Sequence, residues 1–258
     1  MPELRLIRES FPEDPVLDTA VSRALLERVA AGELPATLRI ARPGAMVAFG
    51  KQDAAGPGYP AAARAARERG FEAVVRLAGG RAAVFHEGTV AVAHAMPDPN
   101  PRPGVFPRFE AVAELIAAAL RTLGADARVG EVEGEYCPGG YSVNARGSVK
   151  LAGVGQRLIK GAAHVGGVVV AAGADRIRDV LVPVYRELGL DWRPDTAGAT
   201  ADEVAGLDSD AVRDALLEQY AERYDLVEGR LDEGTLALAR RLAPEHRSPG
   251  QAAVRTRR

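Results

Sequence analysis

The chain has 258 residues, of which 47% are hydrophobic and 26% are charged, a composition typical of globular proteins. Its net charge of −2 excludes a general attraction to nucleic acid, and it contains no apolar run of about 18 residues that would predict a membrane span. One cysteine excludes an internal disulfide and any metal site built from several cysteines, and the N-terminus does not read as a secretory signal. We therefore expect a cytoplasmic protein that binds neither nucleic acid, nor a membrane, nor a metal ion.

The first 70 residues predict strands and helices in alternation. Asp14 followed by Pro15 is a typical helix start, and apolar residues then recur at helical spacing as far as Val29. Pro43 and Gly44 separate two short apolar runs, which we interpret as strands on either side of a turn. The predicted elements are a strand at 4–7, a helix at 15–31, strands at 36–40 and 46–49, and a helix at 60–70.

Consecutive strands dominate the middle of the chain. Between them, residues 109–123 have the most regular helical pattern of the whole sequence. The predicted elements are strands at 73–77, 82–86 and 90–96, a loop at 97–107, a helix at 109–123, strands at 141–143, 149–158 and 164–171, and a helix at 175–188. This order predicts an α+β fold with a mostly antiparallel central sheet flanked by helices.

After residue 190 the sequence predicts helices and no further strands. Helices are predicted at 211–224 and 233–242, after a polar stretch. We divide the chain into a main domain at 1–190 and a short helical C-terminal segment at 191–258. The segment ends in Arg255-Thr-Arg-Arg258, which we interpret as a frayed basic tail.

The first segment that suggests chemistry is Arg76-Leu-Ala-Gly-Gly-Arg-Ala-Ala-Val-Phe-His86. Gly79 and Gly80 carry no Cβ, so the backbone there can approach a ligand closely. Arg76 and Arg81 supply fixed positive charge and forked donors, which suit carboxylates and phosphates. We favour a ligand-binding turn between two strands, with a plain tight hairpin as the alternative.

The second segment surrounds Lys150, which lies in an apolar run that reads as a strand. Partial burial disfavours a charged lysine unless an anion accompanies it, and a carboxylate or phosphate of a ligand would supply that anion. The alternative is a lysine at a strand end whose side chain extends to solvent. Gly153 and Gly155 leave one stretch of that strand without side chains. Such a stretch borders a ligand or marks a bulge or tight packing.

Cys137 precedes Pro138-Gly139-Gly140 and so lies on a predicted loop. A free cysteine can be a small buried hydrophobe, or a nucleophile if a neighbouring group favours its thiolate. His86, His94 and His164 are the histidines we consider as partners, and their spacing in sequence does not single out one of them.

Together the two segments resemble the lipoate–protein ligase A family of the biotin/lipoate ligase superfamily. The arginine–glycine segment is similar to that family's Arg-x-x-Gly-Gly-(Gly/Arg)-Ala-Val-x-His motif. Lys150-Leu-Ala-Gly-Val-Gly-Gln-Arg157 is similar to its lysine strand, and His164-Val-Gly166 to a downstream His-Gly strand. The resemblance covers about residues 4–190.

The resemblance implies a biotin/lipoate ligase-like catalytic domain at 1–190 with a site for an acyl group or an acyl-adenylate. It implies a catalytic Lys150, whose ammonium would contact the carbonyl or phosphate oxygen as negative charge develops there. The implied acyl- or adenylate-binding residues are Arg76, Gly79, Gly80, Arg81, His86, Gly153, Gln156 and His164.

Within the superfamily the chain is most similar to the cysteine-dependent octanoyltransferase branch. That branch tends to carry Gly-Gly-Arg, as at Gly79-Gly80-Arg81, and a cysteine before the lysine strand, where Cys137 stands. The resemblance then implies transfer of an octanoyl or lipoyl group through a Cys137 thioester. The acceptor would be a lysine of a lipoyl domain or of a glycine-cleavage H-type protein, and the donor an acyl carrier protein.

Two alternatives remain open from the sequence. One is an ATP-dependent lipoate–protein ligase that forms lipoyl-adenylate and needs ATP and Mg²⁺. The other is a non-catalytic protein that binds an acyl ligand on the same fold. In either enzyme, we expect lipoate or octanoate as a substrate and no tightly bound cofactor.

Overall fold

The computed structural model describes residues 1–248, so the predicted basic tail at 255–258 lies outside the described residues. An eight-stranded sheet has the strand order β11-β1-β2-β6-β10-β9-β8-β7. Its strands are β1 (Glu3–Ile7), β2 (Thr37–Ala41), β6 (Thr89–Asp98), β7 (Ala127–Val129), β8 (Val143–Ala145), β9 (Val149–Ile159), β10 (Gly161–Val170) and β11 (Asp225–Glu228). Among the eight described strands of this sheet, the β1–β2 and β1–β11 pairings are parallel and the other pairings are antiparallel.

A second sheet of three strands has the order β4-β3-β5. Its strands are β3 (Met46–Phe49), β4 (Glu72–Val75) and β5 (Ala83–Phe85). The central strand β3 is parallel to β4 and antiparallel to β5.

Helices cover both sheets. They are α1 (Pro15–Ala30), α2 (Lys51–Ala54), α3 (Tyr59–Arg67), α4 (Val105–Thr122), α5 (Ala174–Leu188), α6 (Thr200–Glu203), α7 (Ser209–Ala221) and α8 (Glu233–Leu242), with single 3₁₀ turns at Pro194–Thr196 and Ala243–His246. Helix α1 packs on α8, α3 on α5, and α4 on α7. No helix among residues 1–248 is long and apolar enough to cross a lipid bilayer.

The alternation of side chains along β6 explains why the large sheet is covered on both faces. Val90 and Val92 pack in a core with α4 and α7, whereas Ala95 packs in a separate core with α1 and α8. A third core lies between the small sheet and helices α3 and α5. The small sheet and its two helices therefore stand beside the large sheet, with a space between them that forms the site.

The predicted α+β fold with a mostly antiparallel sheet is confirmed. Asp14 caps α1 as expected, because its side chain accepts a hydrogen bond from Leu17 N at 3.0 Å. The predicted loop at 97–107 is shorter in the structure. Strand β6 continues through Pro97 to Asp98, and α4 begins at Val105 because Pro107 is tolerated in the first turn of a helix.

The C-terminal segment contains the two predicted helices as α7 and α8. It also contains β11, which the sequence analysis did not predict and which pairs in parallel with β1 at the sheet edge. Strand β7 was likewise missed. The division of the chain at residue 190 stays a prediction.

Helix α1 is tied to the large sheet by a buried ion pair between Asp18 and Arg39. We expect Asp18→Ala to lower the free energy of unfolding by about 3–5 kcal/mol, because Arg39 would keep a buried charge without its partner. Urea denaturation measures this change. The exposed Arg8–Glu228 pair provides the control, since Glu228→Ala should cost less than about 1 kcal/mol. Equal effects of the two substitutions would contradict the role of the buried pair.

Candidate active site

The glycine–arginine loop, residues 76–82, connects β4 to β5 past the C-terminal end of β3. Because β3 lies between β4 and β5, these two strands do not pair with each other, and the hairpin alternative is wrong. The loop begins where Arg76 N donates a hydrogen bond to Phe49 O at 2.9 Å. It crosses the end of the small sheet and reaches β9 of the large sheet, where Gly79 N donates to Gln156 O at 3.3 Å.

Gly80 is the position in this loop where a side chain is excluded. Its φ of +109° lies in a region that side chains rarely adopt. A Cβ there would stand 2.9 Å from Cys137 Sγ and 3.1 Å from Arg76 Nη1. The absence of a side chain at Gly80 thus lets the sulfur of Cys137 approach the loop.

Cys137 belongs to the cysteine loop, residues 135–142, which precedes β8. Its Sγ accepts a hydrogen bond from Arg81 N at 3.2 Å and a longer one from Arg76 Nη1 at 3.7 Å. Hydrogen bonds donated to sulfur strengthen as the sulfur becomes negative, and a guanidinium adds attraction. The surroundings of Cys137 therefore suit a nucleophilic thiolate.

Lys150 lies beneath the cysteine loop and is only 1% exposed. Its Nζ donates to Glu135 Oε1 at 2.9 Å, to Tyr136 O at 3.0 Å and to Cys137 O at 2.8 Å. All three hydrogens of the ammonium are thereby used within the protein. The anion beside Lys150 is therefore Glu135 of the protein itself, where a ligand anion was expected, and the burial of Lys150 shows that the alternative of a side chain extending to solvent is wrong.

Glu135 holds the cysteine loop from inside. Besides Lys150, its carboxylate accepts hydrogen bonds from Ser142 Oγ at 2.5 Å, Gly139 N at 3.2 Å and Val132 N at 3.1 Å. The residue is 2% exposed, so the charge of its carboxylate depends on these donors for compensation. The ion pair and its hydrogen bonds set the shape of the loop that carries Cys137.

Arg81 contributes to the site through its backbone more than through its side chain. Its guanidinium donates from Nη1 to Asp53 Oδ1 at 2.9 Å, and Asp53 Oδ2 accepts from Gly50 N at 3.1 Å. Asp53 is 2% exposed. The ion pair turns the Arg81 side chain toward α2, while its N–H faces Cys137.

Beside the cysteine lies a cavity of about 530 Å³ between the glycine–arginine loop, the cysteine loop, β9, β10 and the start of α4. Arg76 and Lys150 both line it and both contact Cys137, and we call the part of the cavity beside these three residues its polar end. Its apolar walls include Phe85, Val105, Phe109, Val154, Leu158 and Val168. A cavity with one reactive, polar end and long apolar walls suits a molecule with a carbonyl head and a hydrocarbon chain.

The predicted glycines of β9 lie in the wall of this cavity. A Cβ at Gly155 would stand 2.9 Å from Arg76 Nη2 and 3.2 Å from Gly79 O, and one at Gly153 would stand 3.3 Å from Lys150 Cε. The absence of side chains here makes room for the glycine–arginine loop and the lysine. Gln156 also lines the cavity, and its side chain donates to Val105 O at 2.6 Å.

The predicted histidines do not join the cysteine. His86 Nδ1 accepts from Gly88 N at 3.0 Å, and the ring lies near Gly173, away from the cavity. His164 lines a smaller neighbouring cavity of about 90 Å³, which shares Arg76 with the larger one. Among residues 1–248, the hydrogen bonds to Cys137 Sγ come from Arg76 and Arg81 and not from a histidine.

Sequence reasoning missed Glu135, Tyr185 and Asp53. Tyr185 OH accepts from Cys137 N at 2.8 Å and donates to Ala82 O at 2.9 Å. Glu135 stands two residues before Cys137, so the expected need of Lys150 for an anion could have pointed to it. Tyr185 is 48 residues further along the chain and carries no such signal. No group of side chains that could hold a metal ion lies within residues 1–248.

A comparison with known protein families gives one match over residues 14–189, more than half of the chain. The matching family is described as the lipoyl protein ligase A/B catalytic domain. The chain belongs to this family. The match covers the glycine–arginine loop, the cysteine loop and Lys150, so the residues of the cavity come from the family's catalytic domain.

Curated relatives agree with this assignment. The chain is 31% identical over 192 residues to an octanoyl-[GcvH]:protein N-octanoyltransferase of Geobacillus kaustophilus, covering 73% of this chain and 67% of the relative. It is 30% identical over 197 residues to a protein of the same name from Bacillus velezensis, covering 76% of this chain and 65% of the relative. The matched region thus spans about two thirds of the length of these relatives.

Experimentally determined structures share this fold. The structure described as lipoate-protein ligase A bound with ATP superimposes with a TM-score of 0.75 at 20% identity, covering 94% of this chain and 95% of the other. This similarity establishes the shared fold, in agreement with the biotin/lipoate ligase-like architecture predicted from the sequence.

Acidification should destabilise the family fold through its buried histidines. Burial lowers the pKa of His94 and of His164 to about 4, from an ordinary value of 6.5. The unfolded chain therefore binds protons below about pH 6.5 that the folded chain does not bind until about pH 4, and stability falls across that range. Acidification to pH 4 should lower the free energy of unfolding of both the wild type and His164→Asn. We expect the decrease to be smaller in His164→Asn, by up to roughly 3 kcal/mol, because the variant lacks one of the two histidines. Urea unfolding at both ends of the range measures the difference, and identical losses would contradict the assignment.

Proposed function

We propose that this protein transfers an octanoyl or lipoyl group from an acyl-protein donor to a lysine of a lipoyl domain, through a thioester on Cys137. The observation that carries the proposal is the placement of Cys137 Sγ. The sulfur accepts hydrogen bonds from Arg81 N and Arg76 at the polar end of an apolar cavity. A sulfur nucleophile beside a long apolar space is the arrangement that acyl transfer through a thioester requires.

The proposed reaction has two steps. In the first, the Cys137 thiolate attacks the carbonyl carbon of the donor's acyl group and forms a C–S bond. The bond between that carbon and the donor's sulfur or nitrogen breaks, and the leaving group takes up the proton that the thiol gave up. In the second, the neutral amine of the acceptor lysine attacks the thioester, forms a C–N bond and releases the thiolate and a proton.

The developing oxyanion needs hydrogen-bond donors at the same end of the cavity. Arg76 stands there with a fixed positive charge, and Lys150 also lines that end. The catalytic contact between Lys150 and the acyl oxygen stays a proposal. For this contact, one of the three acceptors now held by its ammonium must be exchanged for the substrate.

The acyl chain is proposed to extend along the apolar walls of the cavity, away from Cys137. Arg76, Gly79, Gly80, Gly153 and Gln156 line the cavity, which supports their proposed role in binding the acyl group. Arg81 is proposed to act through its N–H, and His164 through the smaller cavity next to Arg76. The predicted ligand contact of His86 receives no support from its position beside Gly173.

The names of the relatives favour particular donors and acceptors. Those names describe octanoyl-[GcvH] as the acyl source and a protein nitrogen as the recipient. We accordingly propose an acylated glycine-cleavage H-type protein as donor, with acyl carrier protein as the second donor to be tested. No tightly bound cofactor enters this reaction. A cytoplasmic setting stays a prediction.

ATP-dependent ligation is the alternative within the same family. It needs adenylation, and lipoate-dependent release of pyrophosphate from ATP would support it. The residues that favour the transferase are Cys137 and the Gly79-Gly80-Arg81 sequence, which presents an N–H to the sulfur. A non-catalytic role would be supported by tight acyl-ligand binding in calorimetry without transfer to any lipoyl domain.

Removal of the nucleophile tests the proposed function. We expect Cys137→Ala to lower octanoyl transfer from octanoyl-H protein to a lipoyl domain by more than about 1,000-fold, because no thioester can form. Gel-shift or intact-mass analysis of the acceptor measures transfer, with octanoyl-acyl carrier protein as a parallel donor.

Thermal unfolding of Cys137→Ala provides the control for folding, and pyrophosphate release from ATP and lipoate is measured beside it. Unimpaired transfer by Cys137→Ala would exclude the thioester. Lipoate-dependent pyrophosphate release that Lys150→Ala abolishes would establish the ligase instead.

A second experiment tests where the acyl chain lies. We expect Leu158→Trp to fill part of the cavity and lower kcat/KM for an octanoyl donor about tenfold or more, because overpacking by several atoms costs about 1–3 kcal/mol. A butyryl donor, whose chain is shorter, should be affected less in the same assays. An equal reduction for both chain lengths would place the chain outside this cavity.

A further inference from the structure

Cys137 has an unusual backbone conformation. Its φ is +44°, in the left-handed region that non-glycine residues seldom occupy. Such a residue persists only where its surroundings fix it, and strained residues of this kind gather at functional sites.

Two side chains bind the backbone groups of this residue, one its carbonyl and the other its N–H. Lys150 Nζ donates to the Cys137 carbonyl at 2.8 Å, and Tyr185 OH accepts from the Cys137 N–H at 2.8 Å. The Tyr185 hydroxyl then donates its own hydrogen to Ala82 O at 2.9 Å. One hydroxyl therefore joins the cysteine loop to the glycine–arginine loop, the two segments that also meet at the sulfur.

The position of Tyr185 makes it a rigid support. It lies near the end of α5, it is 2% exposed, and its ring packs against Trp192 at a centroid distance of 5.6 Å. Burial raises the pKa of its hydroxyl well above the ordinary value, so the group stays a neutral donor and acceptor. In this state the hydroxyl can accept a hydrogen bond from one loop and donate one to the other.

We propose that Tyr185 is a positioning residue that holds Cys137 Sγ against the Arg81 N–H, an inference that rests on the proposed thioester function. Without its hydroxyl, Cys137 N and Ala82 O both lose their partner. The two loops are then free to separate, and the sulfur loses the donors that stabilise its negative form. The Tyr185 hydroxyl bonds to the N–H of Cys137 and not to its sulfur, so Tyr185 acts through the backbone of Cys137.

The test uses the fact that Cys137 is the only cysteine of the chain, so a thiol reagent reports on it alone. We expect Tyr185→Phe to slow alkylation by iodoacetamide near neutral pH by about tenfold, the effect of losing one buried hydrogen-bond link. The pH at which alkylation reaches half its maximal rate should rise. Under saturating donor, kcat for transfer should fall while KM changes little.

Tyr220→Phe is the matched control. Tyr220 is 1% exposed in α7, and its hydroxyl has no hydrogen-bond partner within the described residues. Its loss should leave alkylation and transfer unchanged. Thermal unfolding of both variants detects a general loss of stability. If Tyr185→Phe folds poorly, 3-fluorotyrosine at position 185 keeps the ring and hydroxyl and should shift the alkylation profile by a smaller amount.

The outcomes separate this proposal from the proposed function. An alkylation profile of Tyr185→Phe equal to those of the wild type and Tyr220→Phe would overturn the positioning role, whatever the transfer activity. A shifted profile in a protein whose wild type transfers no acyl group would support the positioning of Cys137 and reject the acyltransferase.

Discussion

The buried ion pair between Glu135 and Lys150 is the interaction on which the site depends. Each charge is nearly inaccessible to water, so removal of either would leave an uncompensated charge in the interior. The pair also uses its remaining hydrogen-bonding capacity on the backbone of the cysteine loop. Lys150 donates to two carbonyls of that loop, and Glu135 accepts hydrogen bonds from the Gly139 amide within the loop and from the Val132 amide just before it. The loop consequently has one shape, in which the sulfur of Cys137 meets the glycine–arginine loop.

The architecture explains how segments far apart in sequence meet at this point. The glycine–arginine loop leaves the small sheet, Lys150 comes from the large sheet, and Tyr185 comes from the helix that covers the small one. Glycines at 80, 153 and 155 remove the side chains that would otherwise keep these backbones apart. The cavity is therefore a consequence of packing two sheets side by side with small residues at their contact.

Much of this was accessible from the sequence, because local patterns specify local structure. The antiparallel α+β fold and the capped helix after Asp14 follow from periodicity and capping residues. The two sequence segments and the family resemblance also single out Cys137, Lys150 and the paired glycines, which the structure brings together. The pairing of β4 and β5 with a common neighbour could not be predicted in this way. The same residues could form a hairpin turn between paired strands or a loop that passes the end of a third strand. Only the position of β3 between β4 and β5 distinguishes the two.

The contacts that define the site were also beyond local patterns. The sequence predicts that the Arg81 side chain binds a ligand, whereas in the structure this side chain pairs with Asp53. Tyr185 has the spacing of an ordinary core residue of an amphipathic helix, so its hydrogen bonds to the two loops carry no sequence signal. Strand β11 is short and largely exposed, so it lacks the apolar alternation that identifies a strand, and its partner β1 lies at the opposite end of the chain. In each of the three, the structure is determined by contacts between residues far apart in the sequence.

The most direct test of the account is peptide mass spectrometry of the protein after brief incubation with octanoyl-H protein and without acceptor. We expect an octanoyl adduct on the peptide that contains Cys137, removable by neutral hydroxylamine and discharged when a lipoyl domain is added. An adduct on another residue, or acyl transfer to the lipoyl domain with no adduct on Cys137 at any time, would contradict the account.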